Sequence, residues 1–254
     1  TITFWKKKYL QFYEEDNFSL TLSLSERIIE MDKMGAHGWA MRGLSLLKIK
    51  RSHEAEFCFS HRSIHTADDP LMTWILGEQS EESRNLSVAE EKYNEVPEQH
   101  FVQPLPRIGM ARIYFKQKRY WETIEICDTI LKTYPGNVKA LLHKGDSLYA
   151  IDRIEEALIC FDLICENHPD NYMGCVKAAR CLLKMGKYGE ANTCISKVLE
   201  KDETIVEALR IKAYISLKRG IKTEAKQWLS KILTIDPENS WALKMQSITG
   251  IKTH

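Results

Sequence analysis

Small and large apolar residues recur along this chain with a period of 34 residues. In seven units starting at residues 2, 36, 70, 104, 138, 172 and 206, the eighth place is Tyr9, Gly43, Gly77, Ala111, Gly145, Ala179 and Ala213. The twentieth place is Thr21, Ala55, Ala89, Thr123, Ala157, Ala191 and Ala225. Small residues at two points about twelve residues apart let two helices approach closely. Each unit is therefore predicted to be an antiparallel helical hairpin.

Other places in the unit support the same elements. Large apolar residues such as Phe161 and Ile164 stand three apart, on one helical stripe. Prolines fall at place 32, as Pro135 and Pro169 do, where a missing N–H ends a helix. Gly186 lies between the two helices of its unit, where glycine can adopt the left-handed conformation that closes a helix.

The pattern resembles the tetratricopeptide repeat, whose signature has Trp or Leu at place 4, small residues at places 8 and 20, an aromatic at 24 and Pro at 32. The fifth unit follows it with Leu141, Gly145, Leu148, Ala157, Phe161 and Pro169. The resemblance implies an all-α fold, a right-handed α-solenoid or superhelix of antiparallel helix-turn-helix units. Neighbouring units stack because one hairpin cannot bury its apolar face alone.

We expect residues 1–254 to form a single domain. The predicted repeats are 2–35, which is degenerate, then 36–69, 70–103, 104–137, 138–171, 172–205 and 206–239, with a capping helix over 240–254. Tyr9, Thr21 and Ser25 depart from the pattern in the first repeat. In the third, Trp74 sits one place late, and Val102 to Pro106 are expected to form a longer connection.

Charge is balanced overall and uneven along the chain. There are 36 basic and 35 acidic residues, which argues against a field that attracts nucleic acid. Residues 1–103 hold 12 basic against 17 acidic residues, and the remainder holds 24 against 18. We therefore expect an inner groove that is basic in its C-terminal half and acidic near Glu78, Glu81 and Glu82.

The resemblance also implies which side chains of the first helices face that groove. We expect an acidic or C-terminal segment of a protein partner to lie against its basic half, with Trp74 or Tyr149 as an aromatic anchor. The alternative is a solvated face without a ligand. The candidate residues are Trp74, Arg112, Lys116, Lys139, His143, Tyr149, Lys177, Arg180, Lys184, Arg210 and Lys218.

Catalytic and cofactor motifs are absent from the sequence, which contains no phosphate-binding loop, dinucleotide fingerprint, serine elbow or His-Glu-x-x-His. Cys58, His61 and His65 could share one helical face toward a metal, but Cys58 occupies a place where Cys160 and Cys194 recur, so packing is favoured. We predict no enzyme activity, cofactor or metal. The odd total of seven cysteines favours reduced thiols.

The leading interpretation is a protein–protein interaction scaffold or adaptor, a subunit of a larger intracellular complex, with no nucleic-acid partner and no membrane span. The alternative is the regulatory repeat region of an enzyme whose catalytic domain lies outside this chain. Self-association through the final helix, with Trp241 and Ile248, stays open. We expect a cytoplasmic protein, with nuclear and ciliary locations left open.

Overall fold

The computed structural model describes residues 1–61, 64 and 69–250, and within these residues it contains fifteen α-helices and no strand. The predicted all-α class is confirmed. His65 and the last four residues of the expected cap lie outside the described residues. The helices are α1 Ile2–Glu14, α2 Phe18–Met31, α3 Ala36–Lys48, α4 Ser52–Phe59, α5 Pro70–Glu82, α6 Leu86–Glu95, α7 Leu105–Lys116, α8 Tyr120–Thr133, α9 Val138–Ala150, α10 Ile154–Asn167, α11 Tyr172–Lys184, α12 Tyr188–Lys201, α13 Val206–Lys218, α14 Lys222–Ile235 and α15 Ser240–Thr249.

The chain divides into two compact units, residues 1–126 and 127–254. In the first unit, consecutive helices pack as hairpins, and α3 also packs against α5, as α5 does against α7. The second unit repeats this arrangement, because α9 to α14 pack in sequence and α11 also contacts α13. First helices of neighbouring hairpins therefore lie side by side within each unit.

Close helix approach depends on the small residues at the eighth place. A Cβ built on Gly145 would lie 2.5 Å from Cε1 of Phe161, and one on Gly43 would lie 2.8 Å from Cε2 of Phe59. The facing alanine at the twentieth place, Ala157 in the same hairpin as Gly145, is fully buried. The aromatic ring thus occupies the space that the glycine leaves, as the sequence predicts.

The turns between the two helices of each hairpin repeat with the same period. A residue with positive φ recurs every 34 residues through the described chain, at Asp16, Lys50, Arg84, Lys118, Asp152, Gly186 and Gly220. The left-handed conformation predicted at Gly186 is confirmed by its φ of 76°. Five of these positions carry side chains in a conformation that favours glycine.

The departures in the first repeat form one polar cluster. Tyr9 is fully buried where most repeats have Gly or Ala, and its hydroxyl donates to the backbone oxygen of Met41 at 2.8 Å. The Ser45 hydroxyl lies 3.0 Å from the Tyr9 hydroxyl and donates to Thr21 at 3.0 Å. The Tyr9 side chain is therefore tolerated in the core, because polar groups on the adjoining helices complete the hydrogen bonds of its hydroxyl.

Helix ends follow the predicted breaks. Pro135 and Pro169 each stand two residues after a second helix ends. The expected longer connection in the third repeat is present, since α6 ends at Glu95 and α7 begins at Leu105. None of the helices in the described ranges has both the length and the apolar character needed to cross a lipid bilayer.

Candidate functional site

Arg112 lies at the centre of a buried ion network in the first unit. Its guanidinium donates to Glu78 at 2.7 Å and to Glu81 at 2.7 and 2.5 Å. The hydroxyls of Tyr13 and Tyr93 donate to the Glu78 carboxylate at 2.6 and 2.8 Å. Arg112 is therefore already bound to carboxylates of its own chain, and its predicted contact with a partner stays a prediction.

Cations neutralise the acidic stretch of the third repeat. Burial alone raises the pKa of Glu78, but the charges of Arg112 and Lys48 overcome this effect and hold that pKa well below its usual range. The Lys48 amine lies 3.0 Å from Glu78 and 2.7 Å from Glu82. The expected acidic groove is thus wrong, because Glu78 and Glu81 are buried and each carboxylate has a basic partner.

Two further candidates of the first unit have different environments. Trp74 is fully buried, with its ring edge-to-face on Tyr13 at a centroid distance of 5.0 Å, so its predicted role as a surface anchor is wrong. Lys116 keeps 52% of its side chain exposed and contacts Glu81 at 2.7 Å. Neither residue contributes to an open basic surface.

In the second unit, four of the remaining basic candidates and Tyr149 lie around one cavity. This basic cavity has a volume of about 580 Å³ and is formed by α9, α11, α13 and α15. That volume falls within the range typical of ligand sites. Five predicted residues, Tyr149, Lys177, Arg180, Lys184 and Arg210, are among those that line it.

Two arginines of the basic cavity lie over aromatic rings. The Arg180 guanidinium carbon is 5.6 Å from the ring centroid of Tyr149, and that of Arg210 is 5.0 Å from the ring of Trp241. In the described parts of the chain, neither arginine has a carboxylate within ion-pair distance. A guanidinium stacked on a ring keeps its N–H groups available in the ring plane, where a carboxylate can accept two of them.

The lysines of the basic cavity are partly neutralised. Lys177 donates to both oxygens of Asp146, at 2.7 and 2.9 Å. Lys184 contacts Asp152 at 2.6 Å, and its amine lies 4.8 Å from the Tyr149 ring. The Lys184 pair is largely exposed, and such pairs contribute little free energy, so this lysine can exchange partners.

Three other candidates do not line the basic cavity. Lys139 and His143 lie on α9, and Lys218 lies on α13 with its amine 5.5 Å from the ring of Tyr214. Of the cysteine–histidine set for which the sequence favours packing, Cys58 accepts from Arg42 at 3.7 Å and His61 stacks on Trp39, while His65 lies outside the described residues. No group of three or more His, Cys, Asp or Glu among the described residues is placed to hold a metal.

Sequence reasoning did not select two aromatic residues of the basic cavity. Trp241 was named only for possible self-association of the final helix, and Tyr214 was not chosen, yet both line the cavity. Their places in the 34-residue unit carried the signal. Trp241 stands at place 2 of its unit and Tyr214 at place 9, and both places face the groove in the resembled repeat.

Comparison with known families supports the repeat. Residues 139–171 match one model of the tetratricopeptide repeat, and residues 176–240 match another. No curated protein has a sequence that matches the chain significantly.

Solved structures share the fold. The C-terminal part of a TPR repeat-containing protein from Cytophaga hutchinsonii has 18% identity, with coverage of 97% of this chain and 100% of that one, and a TM-score of 0.59. YrrB, described as a TPR protein with an unusual peptide-binding site, has 17% identity, coverage of 76% and 97%, and a TM-score of 0.58.

A chain of the APC/C hetero-tetramer Cut9-Hcn1 has 14% identity over 94% of this chain, with a TM-score of 0.75. This chain spans 47% of that one, or about half of its length. At such identities the likeness concerns the fold alone. The family models therefore identify tetratricopeptide repeats over residues 139–171 and 176–240, and the solved structures show that the chain shares the fold of such repeat proteins.

Proposed function

We propose that the protein is an interaction module whose basic cavity binds an acidic side chain or the terminal carboxylate of a partner protein. Tetratricopeptide repeat proteins are generally non-catalytic scaffolds for protein–protein interaction, so the family supports this class of function. The finer proposal rests on the chemistry of the basic cavity in residues 127–254.

The observation that carries the proposal is the pair of stacked arginines. Arg180 on α11 and Arg210 on α13 line the same cavity, and neither has an internal carboxylate partner among the described residues. This distinguishes them from Arg112, which two buried glutamates hold. Arginines of this kind are suited to bind a carboxylate from outside, since a planar guanidinium can donate two parallel hydrogen bonds to it.

The aromatic lining supports a peptide rather than a simple anion. Tyr149, Tyr214 and Trp241 provide apolar faces beside the two arginines. Tyr, Trp and Arg are the residue types that dominate binding energy at protein interfaces. A segment with a carboxylate flanked by an apolar side chain fits this combination. Glu207 is the one carboxylate in the lining, against four basic side chains, so the cavity keeps an excess of positive charge that favours an acidic segment.

Membership of a larger assembly is part of the proposal. The Cut9-Hcn1 structure is described as an APC/C hetero-tetramer, and its fold is similar to that of this chain. A scaffold of stacked hairpins has a preformed surface, so little binding energy is lost in ordering the receptor. This supports a role in holding another subunit.

Binding of a fluorescein-labelled hexaglutamate peptide with a free C-terminus, followed by fluorescence polarisation, tests the proposal. We expect measurable binding at low salt and a loss of about tenfold or more in affinity for the variant Arg180→Ala/Arg210→Ala, because both charge-assisted contacts disappear. The matched control is Lys222→Ala/Lys226→Ala, which removes the same charge from exposed positions on α14.

The control variant should bind like the original protein. Equal losses in both variants would mean that the peptide senses only net charge, and the cavity assignment would then be wrong. A labelled hexalysine peptide should not bind. If it bound as well as hexaglutamate, the proposed preference for acidic segments would be contradicted.

A further inference from the structure

Three cysteines line a second cavity. Of the helices that form the basic cavity, only α11 also contributes to this one. This thiol cavity has a volume of about 730 Å³ and contains Cys165 from α10, Cys175 from α11 and Cys194 from α12. All three are reduced and half-buried. The other four cysteines, Cys58, Cys127, Cys160 and Cys181, are buried. Cys194 packs against a core cluster, as its recurring place predicts, but stays partly exposed.

The three thiols share one cavity. Cys165, Cys175 and Cys194 all belong to its lining, and Cys194 Sγ donates to the backbone oxygen of Cys175 at 3.3 Å. Thiols gathered in one cavity can exchange protons, so that one of them becomes a thiolate. Thiolate, not thiol, is the nucleophile in cysteine chemistry.

Cys175 is the group best placed to carry the negative charge. It is the fourth residue of α11, close to the helix N-terminus, where the backbone dipole favours an anion. Hydrogen bonds from Cys165 and Cys194, together with the charges of Lys201 and Lys197, hold its pKa well below that of an ordinary thiol. Both lysines line the thiol cavity. Hydrogen bonding to Cys175 raises the pKa of Cys165, which keeps that neighbour protonated.

The cavity also contains acidic groups, and these bear on which reagent can approach. The carboxylates in its lining belong to Asp162, Glu166, Asp170, Glu190 and Asp202. They disfavour large anionic reagents. A small neutral oxidant such as hydrogen peroxide meets no such barrier.

We propose that Cys165, Cys175 and Cys194 form a redox-modification site in which Cys175 is oxidised by a hydroperoxide and Cys165 then closes a disulfide with it. In the first step, the Cys175 thiolate attacks one peroxide oxygen, the O–O bond breaks, and hydroxide leaves as Cys175 becomes a sulfenic acid. In the second, the Cys165 sulfur attacks Cys175, the S–O bond breaks, and water leaves with the Cys165 proton. Two thiols and one hydrogen peroxide give a disulfide and two waters.

This site is independent of the proposed peptide function. The disulfide would connect the end of α10 to the first turn of α11, where one repeat meets the next. Cys194 donates to the backbone oxygen of Cys175 and so helps to position it; its substitution should slow the first step without preventing the link. The roles of the three thiols are thus separable by experiment.

Alkylation of the unmodified protein with iodoacetamide at pH 6 and pH 7, followed by mass spectrometry of each cysteine, is the first test. An ordinary thiol with a pKa of about 8.5 is less than about 1% thiolate at the lower pH. Because a thiolate with a low pKa is a weaker nucleophile, the dependence of the rate on pH reports ionisation better than the rate itself does. We expect the alkylation rate of Cys175 in the folded protein to change less than about twofold between pH 6 and pH 7, and that in urea-unfolded protein to rise about tenfold. An equal rise in the folded protein would overturn the proposal.

Oxidation with one equivalent of hydrogen peroxide is the second test. Cleavage after Glu166 separates Cys165 from Cys175, so their disulfide appears as a cross-linked peptide pair. We expect this pair in the original protein and in the control variant Cys160→Ser on the same helix, and its loss in Cys175→Ser and Cys165→Ser. Circular dichroism establishes that each variant is folded. Oxidation without any disulfide, or a disulfide that excludes Cys165, would refute the assignment.

Discussion

Replacing Arg112 by Met should destabilise the first unit much more than a surface charge change does. Arg112 is the shared donor to Glu78 and Glu81, whose side chains are 2% and 4% exposed. Met fills similar volume but donates no hydrogen bond, so the variant leaves two buried carboxylates without their main partner. Breaking a buried ion pair in this way costs about 3–5 kcal/mol.

Lys116→Met is the matched control. This lysine also contacts Glu81, at 2.7 Å, but its side chain is 52% exposed. An exposed pair contributes only about 0–1 kcal/mol. Because each 1.4 kcal/mol changes an equilibrium about tenfold, amides of α5 should exchange hydrogen at least 100-fold faster in Arg112→Met and less than about fivefold faster in Lys116→Met.

The pH dependence distinguishes charge from packing. In the original protein the folded-state pKa of Glu78 is lowered, so its contribution is present above the unfolded pKa of about 4.3 and is lost as pH falls below that value. In Arg112→Met, burial dominates and the folded pKa of Glu78 rises above the unfolded one. The penalty is then present at neutral pH and is relieved as the carboxyl group takes up a proton.

Hydrogen exchange measured by mass spectrometry at pH 7 and pH 5, corrected for intrinsic rates, reports both effects. The difference in the exchange rate of the α5 amides between Arg112→Met and the original protein should be smaller at pH 5 than at pH 7. A gap that matches the Lys116→Met control at pH 7, or one that stays constant with pH, would refute the assignment of Arg112 as the partner of buried charge.

Further predictions concern the repeat geometry. Lys118→Gly should raise the free energy of unfolding by about 1 kcal/mol in urea titration, because Lys118 has a φ of 62°. Gly186 has a φ of 76°, and an added Cβ there would have no atom within 4 Å. Gly186→Ala should therefore lower the free energy of unfolding by about 1 kcal/mol through backbone strain alone. An unchanged urea midpoint would contradict this. Gly145→Ala should cost about 1–3 kcal/mol since its Cβ would meet Phe161, whereas Gly189→Ala in α12 meets nothing and should be neutral or stabilising. Equal effects of these two alanines in thermal unfolding would show that the close approach at Gly145 is not restrictive.

The repeat itself could be predicted from the sequence because its requirements are local and periodic. Gly145 and Ala157 mark where two helices meet, and Gly186 marks the turn between helices, so each position carries its own signal. The helices that build the basic cavity follow from the same period. Arg180 and Arg210 could be placed on its lining from their position in the unit alone.

Charge pairing was missed because it joins neighbouring repeats rather than neighbours in sequence. Glu78 and Arg112 are 34 residues apart, at the same place of consecutive units, and Lys177 lies 31 residues beyond Asp146. The same place in consecutive units suggests the partner of Arg112, but Lys177 pairs across a different offset, so the matching place alone does not show which cations have partners. Trp74 gave no such signal, since its burial depends on contact with Tyr13 from a distant helix.

The thiol cavity could not be derived from the spacing of its cysteines. Cys165, Cys175 and Cys194 form no repeating pattern, because only Cys194 shares a place with other cysteines. They meet because α10, α11 and α12 pack consecutively and each contributes one thiol to the same cavity. The tertiary arrangement is therefore needed to find the site.

The indole N–H signals of ¹⁵N-labelled protein, titrated with hexaglutamate peptide, test the central claim most directly. Trp241 lines the basic cavity beside Arg210, while Trp39 lies in the first unit. We predict that the Trp241 indole signal shifts in a saturable manner and that the Trp39 signal stays in place. Saturable binding that leaves Trp241 unmoved, or equal shifts of both signals, would contradict the account.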